Sequence, residues 1–203
     1  MTLIHLECCK TSTDSPQKNI NFKSNTDSIS QSREFNIKYF KPDTSINNNL
    51  FLNSPTSTIK ILGDIMPFID NGADFPDAYF SNKSGMEYLR IVIYPGSFKN
   101  SLDLFEVGYS SSLSNIKTKI ATEILSFETE SHIRLGMKRK ELIKIKGDKY
   151  TEVDEKNVKI IKYILDDFDN SEFLKRYNMP VYIFQYFFDK DNLIKFSFGF
   201  EYP

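Results

Sequence analysis

The end of the chain constrains the fold more than any other segment. From Ile194 onward every second residue is large and apolar or aromatic (Ile194, Phe196, Phe198, Phe200, Tyr202), with Lys195, Ser197, Gly199 and Glu201 between them. A period of two with one apolar face specifies an antiparallel strand covered on one side and open to water on the other. The preceding stretch, 181–188, is apolar at nearly every position, which places it inside a sheet, away from the edges. Asp189-Lys190-Asp191-Asn192 between the two suits a hairpin loop. Only 40% of the residues are hydrophobic, but 18 Phe and 11 Tyr are among them. Because each aromatic ring buries a large area, this modest count still builds a core.

Helix signals precede the strands in both halves. Asn53 or Ser54 caps a first helix, Pro55 takes its first position and Gly63 closes it, predicting a helix over 55–62 with Ile59, Ile61 and Leu62 on its buried side. The stretch 70–77 is dense in turn formers and reads as a loop. Strands follow over 88–94 and 102–109, joined at Pro95-Gly96-Ser97. In the second half Gly136 and Met137 lead into a helix over 138–146 closed by Gly147. Leu142 and Ile145 share one of its faces, with Met137 at the edge. A strand over 158–165, a loop over 166–171 and a helical turn over 172–177 then lead to the two closing strands.

The halves echo each other. Ser54 stands nine residues before Gly63 and Lys138 nine before Gly147. The strand Phe105-Glu106-Val107-Gly108-Tyr109 shares aromatic, Gly and Glu elements with Phe198-Gly199-Phe200-Glu201-Tyr202. The expected architecture is therefore α+β: two tandem helix-plus-antiparallel-sheet units, 35–112 and 113–203, after a disordered tail over 1–34. Order begins near Phe35-Asn36-Ile37-Lys38-Tyr39-Phe40. The connector 110–127 fits a helix through Ile116, Ile120 and Ile124, and equally a strand over 118–127. The tail is rich in Ser, Thr, Asn, Gln, Asp and Lys, too polar to offset the entropy of ordering it.

The segment Phe127-Glu128-Thr129-Glu130-Ser131-His132-Ile133-Arg134-Leu135-Gly136-Met137, the short helix closed by Gly147, and the terminal aromatic strand carry a resemblance. Their layout resembles the family of the small lipoprotein of the outer-membrane barrel-assembly machine, and the β-lactamase-inhibitor-protein-like fold that uses the same module in tandem. Gly136, Met137, Leu142, Ile145 and Gly147 match the family pattern. Lys138 replaces its capping hydroxyl, Lys146 an aliphatic residue and Lys149 a usual Pro. The resemblance covers about the last 75 residues and the first unit only loosely. It implies a non-catalytic protein-binding module, often tethered in the bacterial envelope, and carries over no catalytic residues. A tether would start at Cys8, where a short apolar stretch meets a Cys and a polar tail. That reading requires the true start to lie upstream of Met1 and places the protein in the cell envelope; otherwise the chain is cytoplasmic, with Cys8 and Cys9 as reduced thiols.

Composition narrows the chemistry. With 26 Lys+Arg against 27 Asp+Glu the net charge is −1, unlike a dedicated nucleic-acid binder. Two adjacent Cys and two His, His5 and His132, exclude a zinc cluster and a disulfide framework. Ligands at the loop 70–77 do not follow an EF-hand, since Gly72, Phe75 and Ser81 stand at its third, sixth and twelfth positions. Glu172 breaks the second acidic loop, around Asp167 and Asp169, in the same way. Gly108-Tyr109-Ser110-Ser111-Ser112 lacks the second Gly of a nucleophile elbow, and no motif places a His beside it. No metal or cofactor is expected, and no catalytic residue is assigned. The feature that stands out is a basic run containing Arg134, Lys138, Arg139, Lys140, Lys144, Lys146 and Lys149. Its ordinary reading is a solvated helix face; as a binding surface, Arg134, Lys138, Arg139, Lys140 and Lys144 would meet an acidic protein or a membrane.

The expected function is thus a non-enzymatic module that binds another protein, not nucleic acid, with membrane contact only through a lipid anchor. The rivals are an immunity-type inhibitor of a toxin or enzyme, and a small hydrolase with an unrecognised carboxylate site. An aromatic sheet face distinguishes a binder, and a deep pocket with convergent carboxylates an enzyme.

Overall fold

The alternating C-terminal stretch lies in the middle of one eight-stranded sheet with neighbours on both sides. The structure, a computed structural model, describes residues 40–70, 72, 75–113 and 119–201, all within the unit Lys38–Pro203. The tail 1–34, Cys8, His5, the segment 35–39, Ile116, Thr118 and Tyr202 lie outside the described residues.

In chain order the elements are strands β1 (Ser45–Ile46) and β2 (Leu50–Phe51), helix α1 (Pro55–Leu62), and strands β3 (Asp77–Ser81), β4 (Glu87–Val92), β5 (Leu104–Tyr109) and β6 (Ile120–Ala121). Helix α2 (Arg139–Lys146), strands β7 (Thr151–Glu155) and β8 (Val158–Leu165), helix α3 (Glu172–Tyr177), and strands β9 (Tyr182–Asp189) and β10 (Asn192–Phe200) complete them. The large sheet runs β6-β3-β4-β5-β10-β9-β8-β7. Its pairings are antiparallel except β3 with β6. The content is mixed and mostly β, with few helices. Strands from the two halves meet at β5 and β10, so both halves contribute to one sheet.

Register explains the core. Phe105, Phe198, Phe184 and Tyr163 stand opposite one another across β5, β10, β9 and β8, and Val107, Phe196, Tyr186 and Ile161 form the next row. All eight are buried. Ring centroids lie 5.2 Å apart for Phe105 and Phe198 and 4.9 Å apart for Phe184 and Phe198, within the range of favourable aromatic contacts. Leu142 of α2, Leu174 of α3, Ile61 and Leu62 of α1, and Phe40, Ile46, Leu50 and Leu52 from the first described segment cover this face. The segment is fastened by Asn47, whose backbone N–H donates to Glu128 O at 2.8 Å and whose Nδ2 donates to Ser126 O at 2.8 Å.

The first helix occupies 55–62, with the Ser54 hydroxyl accepting from Ser57 N–H at 3.4 Å and Gly63 at φ +79° ending it. Its buried side differs from the expected one. Ser57 and Thr58 turn inward, each returning its hydroxyl to Ser54 O, with Ile61 and Leu62 one turn later on the same face. Ile59 falls about 100° away from Thr58 and is 54% exposed. In α2 the inward pair is Leu142 and Lys146, four apart, and Ile145 is exposed. A spacing of three and one of four both fit a helix face, so hydrophobicity alone selects the wrong partner for Leu142.

Four further departures have local causes. The turn-rich 70–77 ends in a strand: Asp77 opens β3, and Asp70 and Asp77 exchange backbone hydrogen bonds. Strand β7 carries no alternation because it is an edge strand exposed along its whole length. The alternation of β10 breaks at its start, where a bulge between Leu193 and Lys195 puts Leu193 in the core and takes Ile194 out of the Phe196 row. The hairpin into β10 turns on Lys190 and Asp191 alone, both at positive φ.

Candidate functional site

The second face of the sheet carries the site. Residues that alternate with the core rows point there: Tyr79 from β3, Tyr88 and Arg90 from β4, Glu106 from β5, Lys195 from β10 and Phe187 from β9. They form a continuous line of charged and aromatic contacts across five strands. Arg90 Nε donates to Asp77 Oδ2 at 2.6 Å, and its guanidinium lies 5.9 Å from the Tyr79 ring centre. Tyr79 and Tyr88 are 6.0 Å apart between centroids. The Tyr88 hydroxyl donates to Glu106 Oε1 at 2.6 Å. Glu106 Oε2 is 3.7 Å from Lys195 Nζ, which sits 4.1 Å from the Phe187 ring centre.

Gly108 makes this line possible. It faces Tyr88 across the β4–β5 ladder, and a Cβ there would stand 2.6 Å from the Tyr88 ring. The ring therefore lies flat on the strand and brings its hydroxyl to Glu106. Burial raises the Tyr88 hydroxyl pKa, and the adjacent Glu106 carboxylate raises it further, so Tyr88 stays a protonated donor at neutral pH. Beside this line lies a groove of about 660 Å³, with Ile160, Phe187 and Ile194 among its apolar walls and Glu106, Glu155, Lys156 and Lys195 among its charged ones. Paired charges, a protonated phenol and apolar walls suit recognition by contact and hydrogen bonding.

The expected basic residues are scattered. Arg134 lies 3.8 Å from Glu128, Lys138 Nζ donates to Asn192 at 2.6 Å, and Arg139 reaches Tyr150 and Glu152. Lys140 is exposed on α2. Arg134 and Lys144 flank a second groove, with His132, Met137 and Ile145. Arg134 and Lys144 thus share a groove while Arg139 is engaged by the β7 carboxylate.

One member of the basic run is in the core. Lys146 Nζ is 2.9 Å from Asp43 Oδ2, and the two side chains are 1% and 0% exposed. The ammonium also donates to Lys41 O at 2.7 Å and lies 5.4 Å from the Phe184 ring centre. Ser131 Oγ donates to Asp43 Oδ1, and the Tyr182 hydroxyl donates to Asp43 O at 2.6 Å. Burial lowers the Lys146 pKa and Asp43 opposes the shift. This enclosed pair is a structural latch between the first described segment and α2. In the sequence alone the charge of Lys146 places it on the surface; the available signal of burial is that it stands where the resembling modules carry an aliphatic residue.

Ser110 opens a one-turn 3-10 helix after β5, and His132 lies in a loop with its Nδ1 3.3 Å from Glu128 Oε1. Among the described residues no three His, Cys, Asp or Glu side chains converge in the manner of a metal site. No described helix is long and apolar enough to cross a membrane.

Comparison with known proteins is negative throughout. No protein-family model, no curated protein and no solved structure matches the chain.

Glu87 alternates with Tyr88 along β4 and so lies on the core side of the sheet, near its rim. Burial raises the Glu87 carboxyl pKa, opposed by the Phe127 N–H that donates to it at 2.8 Å. With the folded pKa above the unfolded value, the folded state binds the proton more readily, and stability declines as pH rises from the unfolded to the folded value. Glu87→Gln is expected to flatten the dependence in the interval that begins at the ordinary glutamate value and extends upward from it. Denaturant titrations of both proteins across that interval check it; an unchanged slope refutes the assignment.

Proposed function

We propose that the chain is a non-enzymatic protein-binding module and that the second sheet face is its contact surface. The observation that carries this reading is the unbroken line Arg90–Tyr79–Tyr88–Glu106–Lys195–Phe187 beside an apolar-walled groove. Protein interfaces concentrate their binding energy in aromatic and Arg side chains ringed by polar contacts, and this face presents both on rigid strands. Its carboxylates Asp77 and Glu106 are engaged by neighbouring cations or a hydroxyl, an arrangement suited to holding a partner more than to moving protons.

The finer architecture follows the same reading: two tandem helix-plus-sheet units, one ending in β5 and the other in β10, share the sheet through those strands. The resemblance of 127–203 to the barrel-assembly lipoprotein and β-lactamase-inhibitor-protein-like modules supports a binding role. With it come the envelope location and the tether at Cys8.

The test pairs two variants of the full chain. Phe187→Asp places a charge in the groove, whereas Lys140→Glu changes a distant helix surface. A partner captured by the natural chain should bind Phe187→Asp at least about thirtyfold more weakly, the scale of losing an interface hot spot. It should bind Lys140→Glu within about twofold, given the small contribution of a rim charge. Equal affinity for Phe187→Asp, or loss only with Lys140→Glu, overturns the assignment of the surface.

A further inference from the structure

The sheet ends on one side in β7, whose five residues are all exposed and which pairs only with β8 among the described strands. Strand β7 turns into β8 through Lys156 and Asn157, both at positive φ, with Glu155 opposite Val158. In a two-residue hairpin the flanking residues exchange both backbone hydrogen bonds, and the pattern alternates along the ladder. Glu155, Val153 and Thr151 therefore turn their backbone groups toward β8, and the N–H and C=O of Glu152 and Asp154 point away from the sheet. Natural sheets usually blunt such an edge. At the opposite end, the two-residue strand β6 covers β3.

We propose that the β7 edge accepts an extended polypeptide segment as a ninth strand, antiparallel to β7, carrying a basic, apolar, basic alternation. The apolar residue is set by Val153, which is 43% exposed and stands opposite Ile160 on the face that carries Phe187. The flanking basic residues are set by Glu152 and Asp154, which project on the other face. Asp154 is 74% exposed and meets Lys159 at 3.1 Å, while Arg139 and Lys159 both engage Glu152. Arriving cations extend this line of alternating charge. A second copy of the chain fits less well, because antiparallel pairing about Val153 sets Glu152 against Asp154 of the other copy, and like charges directly opposite are destabilising. Backbone pairing supplies affinity and the alternate side chains supply selectivity. The edge borders the face assigned above, Glu155 being shared with its groove, and the proposal is tested separately from that assignment.

The probe is a synthetic peptide of alternating Lys and Val, matched to β7 in length, added to the full chain. A peptide of the same composition with its Lys and Val in separate blocks is the control. Hydrogen exchange should show the Glu152 and Asp154 amides protected at least about tenfold by the alternating peptide only. Asp154→Pro removes one outward N–H and leaves the β7–β8 ladder intact, since an edge strand tolerates Pro where its N–H faces solvent. It should abolish the protection. Asp154→Asn keeps the backbone and removes a charge, and should weaken binding about threefold, which keeps the test decisive if the Pro variant frays. Unprotected Glu152 and Asp154 amides, equal protection by the block peptide, or a chain that dimerises through β7 without peptide overturns the proposal. Loss of peptide binding in Phe187→Asp alone, with Asp154→Pro unaffected, also overturns it and moves the peptide to the groove.

Discussion

Asp43→Ala is expected to destabilise the fold by about 3–5 kcal/mol, the cost of leaving one member of a buried ion pair without its partner. Lys146 has no route to water: its side chain is 1% exposed and lies above the Phe184 ring. Removing Asp43 also deprives Ser131 of its acceptor. The paired replacement separates charge from packing. With Asp43→Asn and Lys146→Met together, neither charge of the pair remains and Asn still accepts from Ser131, so stability should return to within about 2 kcal/mol of the natural chain. Urea titration with an unchanged m-value checks both variants. A loss below about 1 kcal/mol in the single variant refutes the latch. Such a result would mean that the segment around β1 contributes little to the described fold.

The second large effect is at the joint between the halves. Gly199 of β10 faces Leu104 of β5 at φ +153°, and a Cβ there would lie 2.6 Å from Leu104 Cα and closer still to Asp103 O. Both obstacles are backbone, and Asp103 O also accepts from Phe200 N–H at 3.0 Å. Gly199→Ala therefore has to move the β5–β10 seam, at a cost of about 3 kcal/mol. For a chain of this size that lowers Tm by about 6–12 °C. Gly147, at φ +87° with open space around it, is the reference: Gly147→Ala should cost about 1–2 kcal/mol from backbone conformation alone. Equal losses in the two variants would show that the seam yields to a methyl group.

Roles that depend on neighbouring residues are legible in the sequence. The bounds 55–62, 158–165 and 172–177 match α1, β8 and α3, because caps, Pro, Gly and short apolar runs act within a few residues. Strands β3 and β7 are not legible in the sequence, because one opens on a turn-forming Asp and the other is exposed along its whole length, so neither shows an apolar alternation. Asp77 is held by Arg90, and β7 by its register with β8. The burial of Lys146 is hidden for another reason: its partner Asp43 lies far away in sequence, and the local signals, its spacing from Leu142 and the aliphatic residue at that place in the resembling family, are weak beside its charge. Of the face proposed for binding, the aromatic and charged residues are visible in the strands, but their alignment across five strands is not.

The sequence by itself determined that the chain is α+β, that a row of Phe and Tyr faces a core, and that the last two strands lie within the sheet. Periodicity and end signals are properties of neighbouring residues, so one chain read alone suffices for them. Tertiary structure decided that β5 and β10 join both halves into one sheet, that Lys146 is buried against Asp43, and that Tyr88, Glu106, Lys195 and Phe187 meet on the face opposite the helices. Register and burial are fixed by pairings between residues far apart in the chain, where a shift of one residue exchanges the faces of a strand.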